Sequence, residues 1–195
     1  GYQVGVPSTV LRCSGFAYAA PAAQDDSMSR TAKLFRRLKA EHRCGLIAYV
    51  TCGDGPTIDI IRALEDAGAD AIELGVPFSD PIADGPVIQA AAQRALQNGT
   101  NISDIFTIAR AIREQSKIPL IAFSYLNPVL RYGVERFADD TNNAGIDSVL
   151  LTDLPAEAAA EVKPAFKARR LGSIFLLAPT SSNARIAAVN RVSDD

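Results

Sequence analysis

Compact apolar runs alternate along this chain with segments in which apolar residues recur every three to four positions. A run of about four to eight apolar residues predicts a buried strand, and the wider spacing predicts an amphipathic helix. The predicted strands are Leu46–Thr51, Ala71–Leu74, Pro119–Phe123, Val149–Thr152 and Ile174–Leu177. The predicted helices are a segment capped by Ser27 or Ser29 and running through Leu38, then Ile58–Leu64, Val87–Leu96, Ile102–Arg113, Val134–Asn143, Ala156–Lys167 and one starting over Ala184–Val189. This alternation indicates a parallel α/β fold, because a parallel crossover needs a helix to cover the sheet.

An internal similarity supports the α/β assignment. The segment Asp66–Leu74 resembles the segment Asn143–Leu151. In each, a glycine closes a helix, an aspartate follows in the turn, and a strand comes next. One position differs in kind, since Glu73 stands where the second copy has Leu150.

Periodicity alone leaves two architectures open, a closed barrel and a doubly wound open sheet. A closed eight-unit barrel needs about 250 residues, whereas this chain has 195. The prediction is therefore about five βα units, in an open sheet or in a barrel that is cut short. Residues 1–28 are predicted to be a tail or transit-like extension, with Met28 as a candidate start, and residues 29–195 to be the folded domain.

Composition excludes several classes of function. The formal net charge of −2 gives no electrostatic reason to expect nucleic acid or an anionic membrane as a partner. No apolar run approaches the roughly 18 residues of a membrane span. The cysteines Cys13, Cys44 and Cys52 lack C-x-x-C spacing, and His42 is the chain's one histidine. Neither a metal site nor a disulfide framework is predicted, and a reducing compartment fits best.

Glu73 is a carboxylate inside an otherwise apolar predicted strand. Burying a charge is unfavourable unless the group is paired or its pKa rises. One interpretation is a strand-end glutamate that points into solvent or pairs with a lysine. The other is catalytic, because charged residues at the carboxyl ends of barrel strands are typical of active sites. A general acid–base glutamate needs a pKa raised to roughly 6 to 7.

Asp84 lies in the loop that follows this strand. Pro77, Pro81 and Pro86 restrict the backbone of the loop, so it can hold a second carboxylate opposite the first. Two carboxylates in different environments are typical of acid–base chemistry. The alternative is an aspartate that hydrogen-bonds within its own turn.

The whole segment Glu73–Gln89 resembles, almost letter for letter, the signature of tryptophan synthase α subunits. Three further segments resemble the ends of the first, third and fourth strands of that family: Tyr49–Asp54, Tyr125–Val129 and Asp147–Pro155. The resemblance extends over roughly residues 29–192. It implies a (β/α)8 TIM barrel of which about five βα units are present, the chain being truncated before the family's last three units and their phosphate-binding turns.

The resemblance also implies an activity, the reversible retro-aldol cleavage of indole-3-glycerol phosphate to indole and glyceraldehyde 3-phosphate. In this family Glu73 would be the general acid–base that protonates the indole ring carbon. Asp84 would accept the indole N–H and stabilise positive charge on the ring. Tyr49, Phe123 and Tyr125 match residues that line the indole pocket, although aromatic side chains are equally candidates for the core.

The implied partner is the β subunit, which carries pyridoxal phosphate in an α2β2 complex, and no cofactor is expected in this chain. Asp153 and Pro155 match a loop that faces this partner. A cytoplasmic location follows, or a plastid location if residues 1–28 are a transit remnant. The alternatives are an inactive truncated barrel that only docks to the β subunit, or another phosphosugar lyase or isomerase. A Schiff-base aldolase is disfavoured, because no predicted strand contains a lysine.

Overall fold

A six-stranded sheet, ordered β1 to β6 along the chain, organises the protein in the computed structural model, which describes residues 10–14 and 28–194. Its strands are Val10–Ser14 (β1), Gly45–Thr51 (β2), Ala71–Gly75 (β3), Leu120–Ser124 (β4), Ser148–Leu151 (β5) and Gly172–Ile174 (β6). Strands β2 to β6 are parallel, and β1 is antiparallel to β2. Five parallel strands joined through helices confirm the predicted α/β class.

Helices connect the parallel strands. They are Arg30–Ala40 (α1), Thr57–Asp66 (α2), Pro86–Gln97 (α3), Ile102–Arg113 (α4), Leu126–Tyr132 (α5), Val134–Asn143 (α6), Lys163–Ala168 (α7) and Asn183–Val192 (α8), with a 3₁₀ helix over Ala156–Glu161. The bounds of α4 and α6 are those predicted from the sequence. Ser29 is the cap of α1, because its hydroxyl accepts the N–H of Ala32 at 3.0 Å. This side-chain acceptor satisfies one of the orphan donors of the first turn.

Two predicted elements need correction, and one helix was not predicted. The single helix predicted over Ala156–Lys167 is wrong, because the chain forms the 3₁₀ helix and then α7. Pro164 lies in the first turn of α7, and a proline further inside a continuous helix would clash with the preceding turn. The last strand is Gly172–Ile174 rather than Ile174–Leu177, since Ser148 pairs with Gly172. Helix α5 was not predicted; the third parallel strand ends at Ser124, before Tyr125.

The predicted tail, residues 1–28, lies outside the described residues except for Val10–Ser14 and Met28. Val10–Ser14 forms β1, which pairs along β2 from Val10 opposite Tyr49 to Ser14 opposite Gly45.

The two faces of the sheet pack against different helices. Ile72 and Leu74 belong to the large apolar cluster formed with residues of α2, α4, α6 and α7. A second cluster on the opposite face, here called the inner cluster, comprises Leu34, Leu38, Ile47, Tyr49, Ala71, Ile121, Phe123 and Leu150. Leu34 and Leu38 come from α1, so this helix covers part of the inner face.

The internal similarity seen in the sequence has a structural counterpart at the amino ends of the strands. Asp70 accepts the backbone N–H of Leu46 at 2.9 Å, and Asp147 accepts that of Leu120 at 2.9 Å. The backbone N–H of Asp70 in turn donates to the carbonyl of Leu46 at 2.7 Å, and that of Asp147 donates to the carbonyl of Leu120 at 2.9 Å. Both therefore join the start of one strand to the start of the strand before it.

Arginines neutralise both buried aspartates. Arg43 binds Asp70 with both terminal nitrogens, at 2.9 and 2.6 Å. Arg113 and Arg30 donate to the two carboxylate oxygens of Asp147, each at 2.8 Å. Since Arg30 belongs to α1, this ion pair fastens α1 to the amino end of β5.

Candidate active site at the carboxyl ends of the strands

Glu73 lies on the inner face of the sheet. Side chains alternate between the faces of a strand, and Ile72 and Leu74 point towards the crossover helices. The residues beside Glu73 on the adjacent strands are Tyr49 and Ile121, both in the inner cluster. Glu73 is only 5% exposed, so the interpretation of a solvent-facing strand-end glutamate is wrong.

Tyr49 is the aromatic neighbour of this carboxylate. Its ring meets that of Phe123 edge to face, with centroids 5.0 Å apart and planes at 78°. Burial raises the pKa of the Tyr49 phenol, and the charges of Asp84 and Glu73 raise it further. Strand pairing sets Tyr49 directly beside Glu73, on β2 and β3 respectively.

Asp84 is half-buried in the loop between β3 and α3. The loop is held by side chains on both sides of this residue. The phenol oxygen of Tyr125 accepts the N–H of Ala83 at 2.9 Å, and Gln89 donates to the backbone carbonyl of Asp84 at 2.8 Å. The ring of Phe78, within the same loop, packs against Tyr125 with centroids 5.3 Å apart.

The residues predicted for the site thus fall into two groups. Tyr49, Glu73 and Phe123 share the inner face of the sheet. Tyr125 follows β4 and contacts the loop that carries Asp84. Phe123 and Tyr125 lie two residues apart at the carboxyl end of β4, which links the groups. The catalytic and binding roles of these five residues stay predictions.

Three supporting residues were missed by sequence reasoning. Gly75 gives room to the Tyr49 phenol, while Phe78 and Gln89 hold the Asp84 loop. A glycine at the end of an apolar strand is a recognisable indication of close approach. Nothing in the spacing of Phe78 or Gln89 marks them, because their partners come from tertiary contact and from the course of the loop.

No group of His, Cys, Asp and Glu residues suited to hold a metal ion occurs among residues 10–14 and 28–194. In that part of the chain, no helix has the length and apolar character needed to cross a bilayer. Cys44 is exposed and Cys52 buried, and both are free thiols. Burial raises the pKa of the Cys52 thiol, so this side chain is a small apolar core residue rather than a reactive group.

A parallel β/α sheet with carboxylates at the carboxyl ends of its strands is the arrangement found in the class of α/β-barrel proteins. Residues 35–195 match the family described as tryptophan synthase alpha chain. The chain is 53% identical over 170 residues to the tryptophan synthase alpha chain of Solibacter usitatus, covering 85% of this chain and 63% of the relative. It is 50% identical over 165 residues to that of Geotalea uraniireducens, covering 83% and 62%. The chain belongs to the tryptophan synthase alpha chain family.

Solved structures agree. Tryptophan synthase subunit alpha from Legionella pneumophila superposes with a TM-score of 0.82 at 38% identity, over 86% of this chain and 65% of that chain. A chain from the Pyrococcus furiosus tryptophan synthase α2β2 complex gives 0.71 at 37% identity, over 75% and 63%. These barrels confirm the predicted TIM-barrel family, of which the five parallel strands form a part.

This chain spans about 63% of the length of the curated relatives it matches. Both named relatives are bacterial and give no support to the predicted plastid location.

Proposed function

We propose that this chain contributes the acid–base residues of a lyase that cleaves indole-3-glycerol phosphate to indole and glyceraldehyde 3-phosphate. The observation that carries the proposal is the buried Glu73 carboxylate beside Tyr49 on the inner face of the sheet, at the end that also carries the Asp84 loop. A buried acid and a half-buried acid at one end of a sheet differ in environment, as a proton donor and a charge-stabilising carboxylate must.

The proposed reaction begins with a proton. Protonated Glu73 gives it to the indole carbon that bears the glycerol chain, because indole leaves poorly as a carbanion. The ring becomes a cationic indolenine, and the Asp84 carboxylate stabilises this cation by accepting its N–H. The Glu73 carboxylate then accepts the proton of the adjacent glycerol hydroxyl. The carbon–carbon bond breaks, its electron pair returns to the ring, and the aldehyde and indole are released.

The pocket walls in this proposal are Tyr49, Phe123 and Tyr125. Tyr49 and Phe123 already form an edge-to-face pair, and a flat indole ring offers the same kind of contact. Tyr49 and Phe123 lie deep in the fold, at 5% exposure each, so the reacting ring would be shielded from water. The dry surroundings would strengthen the action of both carboxylates.

The proposed partner is the pyridoxal-phosphate β subunit in an α2β2 complex, with the cofactor in the partner and the complex in the cytoplasm. Three large apolar side chains are exposed near the carboxyl ends of the strands, Ile82 at 83%, Val87 at 64% and Leu130 at 49%. Exposed apolar side chains grouped around a site are typical of an interaction surface. The predicted partner-facing residues Asp153 and Pro155 follow β5 at the same end of the sheet.

The test is indole release from indole-3-glycerol phosphate. The assay uses this chain, and this chain joined to the part of the Solibacter usitatus relative that the match does not cover, each with and without a β subunit. Glu73→Gln should lower kcat by about 100-fold or more, because it removes the proton donor. Glu114→Gln is the matched control, since Glu114 lies exposed just beyond α4.

Equal turnover by wild type and Glu73→Gln would contradict the role of Glu73. Binding of the β subunit with no indole from any wild-type form would favour the alternative of a docking module.

A further inference from the structure

Tyr125, the residue that precedes α5, is hydrogen-bonded to the loop that carries Asp84. The Tyr125 phenol oxygen accepts the N–H of Ala83 at 2.9 Å. Ala83 immediately precedes Asp84, so a constraint on this peptide limits where the Asp84 carboxylate can point. The contact joins residues 42 positions apart in the chain, and local loop geometry alone therefore does not fix this peptide.

Contacts of the Tyr125 ring and contacts of the adjoining backbone both hold this residue in place. Its ring packs against Phe78 and is almost fully buried, at 3% exposure. Its backbone carbonyl accepts a hydrogen bond from Ser124 at 3.1 Å. The next residue, Leu126, donates its N–H to the Asp153 carboxylate at 2.7 Å. The start of α5 is thus anchored to the loop that follows β5, and a rigid support is available for the phenol.

The phenol also stays protonated across the working range of an enzyme. Burial raises the pKa of Tyr125, and both the charge of Asp84 and a hydrogen bond with the Asp84 side chain raise it further. The Ala83 N–H and a hydrogen bond with Thr152 lower it by less, so the net change is an increase. A neutral phenol keeps its oxygen lone pairs for the Ala83 N–H and places no second negative charge beside Asp84.

We propose that Tyr125 is a positioning residue, which fixes the Asp84 carboxylate for the reaction by holding the Ala83 peptide. This role is separate from the predicted one of lining the indole pocket, and it rests on the proposed function for its kinetic consequence. The anchor itself does not depend on that function. Loss of the anchor should lower kcat more than it raises KM. The reason is that a misdirected carboxylate weakens stabilisation of the cationic ring more than it weakens binding of the neutral substrate.

The test begins with Tyr125→Phe, which removes the acceptor and keeps the ring against Phe78. Tyr132→Phe is the matched control, since the Tyr132 hydroxyl donates to Asp140 at 2.5 Å, away from this loop. In this chain as it stands, hydrogen exchange of the Ala83 amide should accelerate about 10-fold or more in Tyr125→Phe and stay at the wild-type rate in Tyr132→Phe. Unchanged exchange in Tyr125→Phe would overturn the anchor, whatever reaction the protein catalyses.

Kinetics then separate positioning from pocket lining. In the joined chain, Tyr125→Phe should lower kcat about 10-fold with KM within 2-fold of wild type. A raised KM with unchanged kcat would overturn positioning in favour of a pocket wall, and wild-type kinetics would overturn any role. If wild type itself releases no indole, the proposed function fails while the exchange result still decides the anchor.

A second variant covers the case in which Tyr125→Phe does not fold. Asp153→Ala removes the acceptor of the Leu126 N–H and leaves the Tyr125 ring unchanged. It should accelerate exchange of the Ala83 amide and lower kcat, each by a smaller factor than Tyr125→Phe does. Wild-type values for both would overturn the proposal.

Discussion

The phenol of Tyr49, a residue of β2, lies directly against the α-carbon of Gly75. Gly75 is two residues beyond Glu73 on the neighbouring strand, β3. A Cβ added at Gly75 would fall 2.2 Å from the phenol oxygen and 2.4 Å from the ring carbon that carries it. Glycine at this position therefore allows a tyrosine to lie flat across the end of β3. The arrangement brings the aromatic ring beside the buried carboxylate.

Gly75→Ala should destabilise the protein by about 1–3 kcal/mol, because the Tyr49 ring must leave its place in a packed core. Tyr49→Phe should not rescue it, since the clash includes ring carbons as well as the oxygen. Chemical denaturation gives the free energy of unfolding. Gly85→Ala is the matched control, because a Cβ at Gly85 meets nothing within 4 Å. Equal stability of Gly75→Ala and Gly85→Ala would show that Tyr49 does not occupy this place in solution.

Asp147→Ala should be strongly destabilising, by about 3–5 kcal/mol, because it leaves the charge of the partly buried Arg113 without its carboxylate partner and the Leu120 N–H without its side-chain acceptor. Thermal melting measures the effect. Asp139→Ala removes a carboxylate from an exposed ion pair with Arg169 and should leave the melting temperature nearly unchanged. Similar losses in the two variants would contradict the structural role assigned to Asp147.

Protonation of Asp70 at acid pH should lower the stability of the fold. The hydrogen-bonded Arg43 holds the pKa of Asp70 below its usual range, aided by the Leu46 N–H and the charge of Arg37. The ionised form therefore stabilises the fold above the unfolded pKa, near about 4, and this contribution is lost as the pH falls through the folded pKa. The stability difference between wild type and Asp70→Asn should be large at neutral pH and shrink towards about pH 3.

The control for this titration is Asp66→Asn, which changes an exposed carboxylate at the end of α2. Its stability profile should run parallel to that of wild type. A wild-type minus Asp70→Asn difference that does not change with pH would rule out Asp70 as the source of acid sensitivity.

The thiols should react at very different rates. Cys44 is exposed, whereas Cys52 is buried and burial raises its pKa, so little thiolate is available at the second position. With a thiol reagent near neutral pH, Cys44 should be modified first and Cys52 only on unfolding. Peptide mapping assigns the label to each cysteine, and denatured protein is the control. Prompt modification of Cys52 in the folded state would contradict its burial.

The alternation of strands and helices could be predicted from the sequence because each element carries its own periodicity. Helices α4 and α6 were predicted to the residue. The position of Glu73 on the inner face also follows from the pattern, since Ile72 and Leu74 alternate with it. Its neighbours Tyr49 and Ile121 could not be predicted, because strand register depends on tertiary pairing.

Helix α5 shows where local pattern was insufficient. Pro128 is the third residue of α5, where the N–H that proline lacks would have had no partner within the helix. The helix start is secured by Asp153 from a different loop. No window of the sequence around Pro128 contains that acceptor. The contact between Tyr125 and Ala83 escaped prediction for the same reason.

Strand β1 has a consequence for the edges of the sheet. By pairing antiparallel with β2 from Tyr49 back to Gly45, it uses backbone groups that a further parallel strand would need in order to close a barrel against β2. The two pairings compete for one set of donors and acceptors. A closing strand can therefore pair with β2 only after Val10–Ser14 has dissociated from it. The far edge of β6 can pair with a further strand while β1 stays in place.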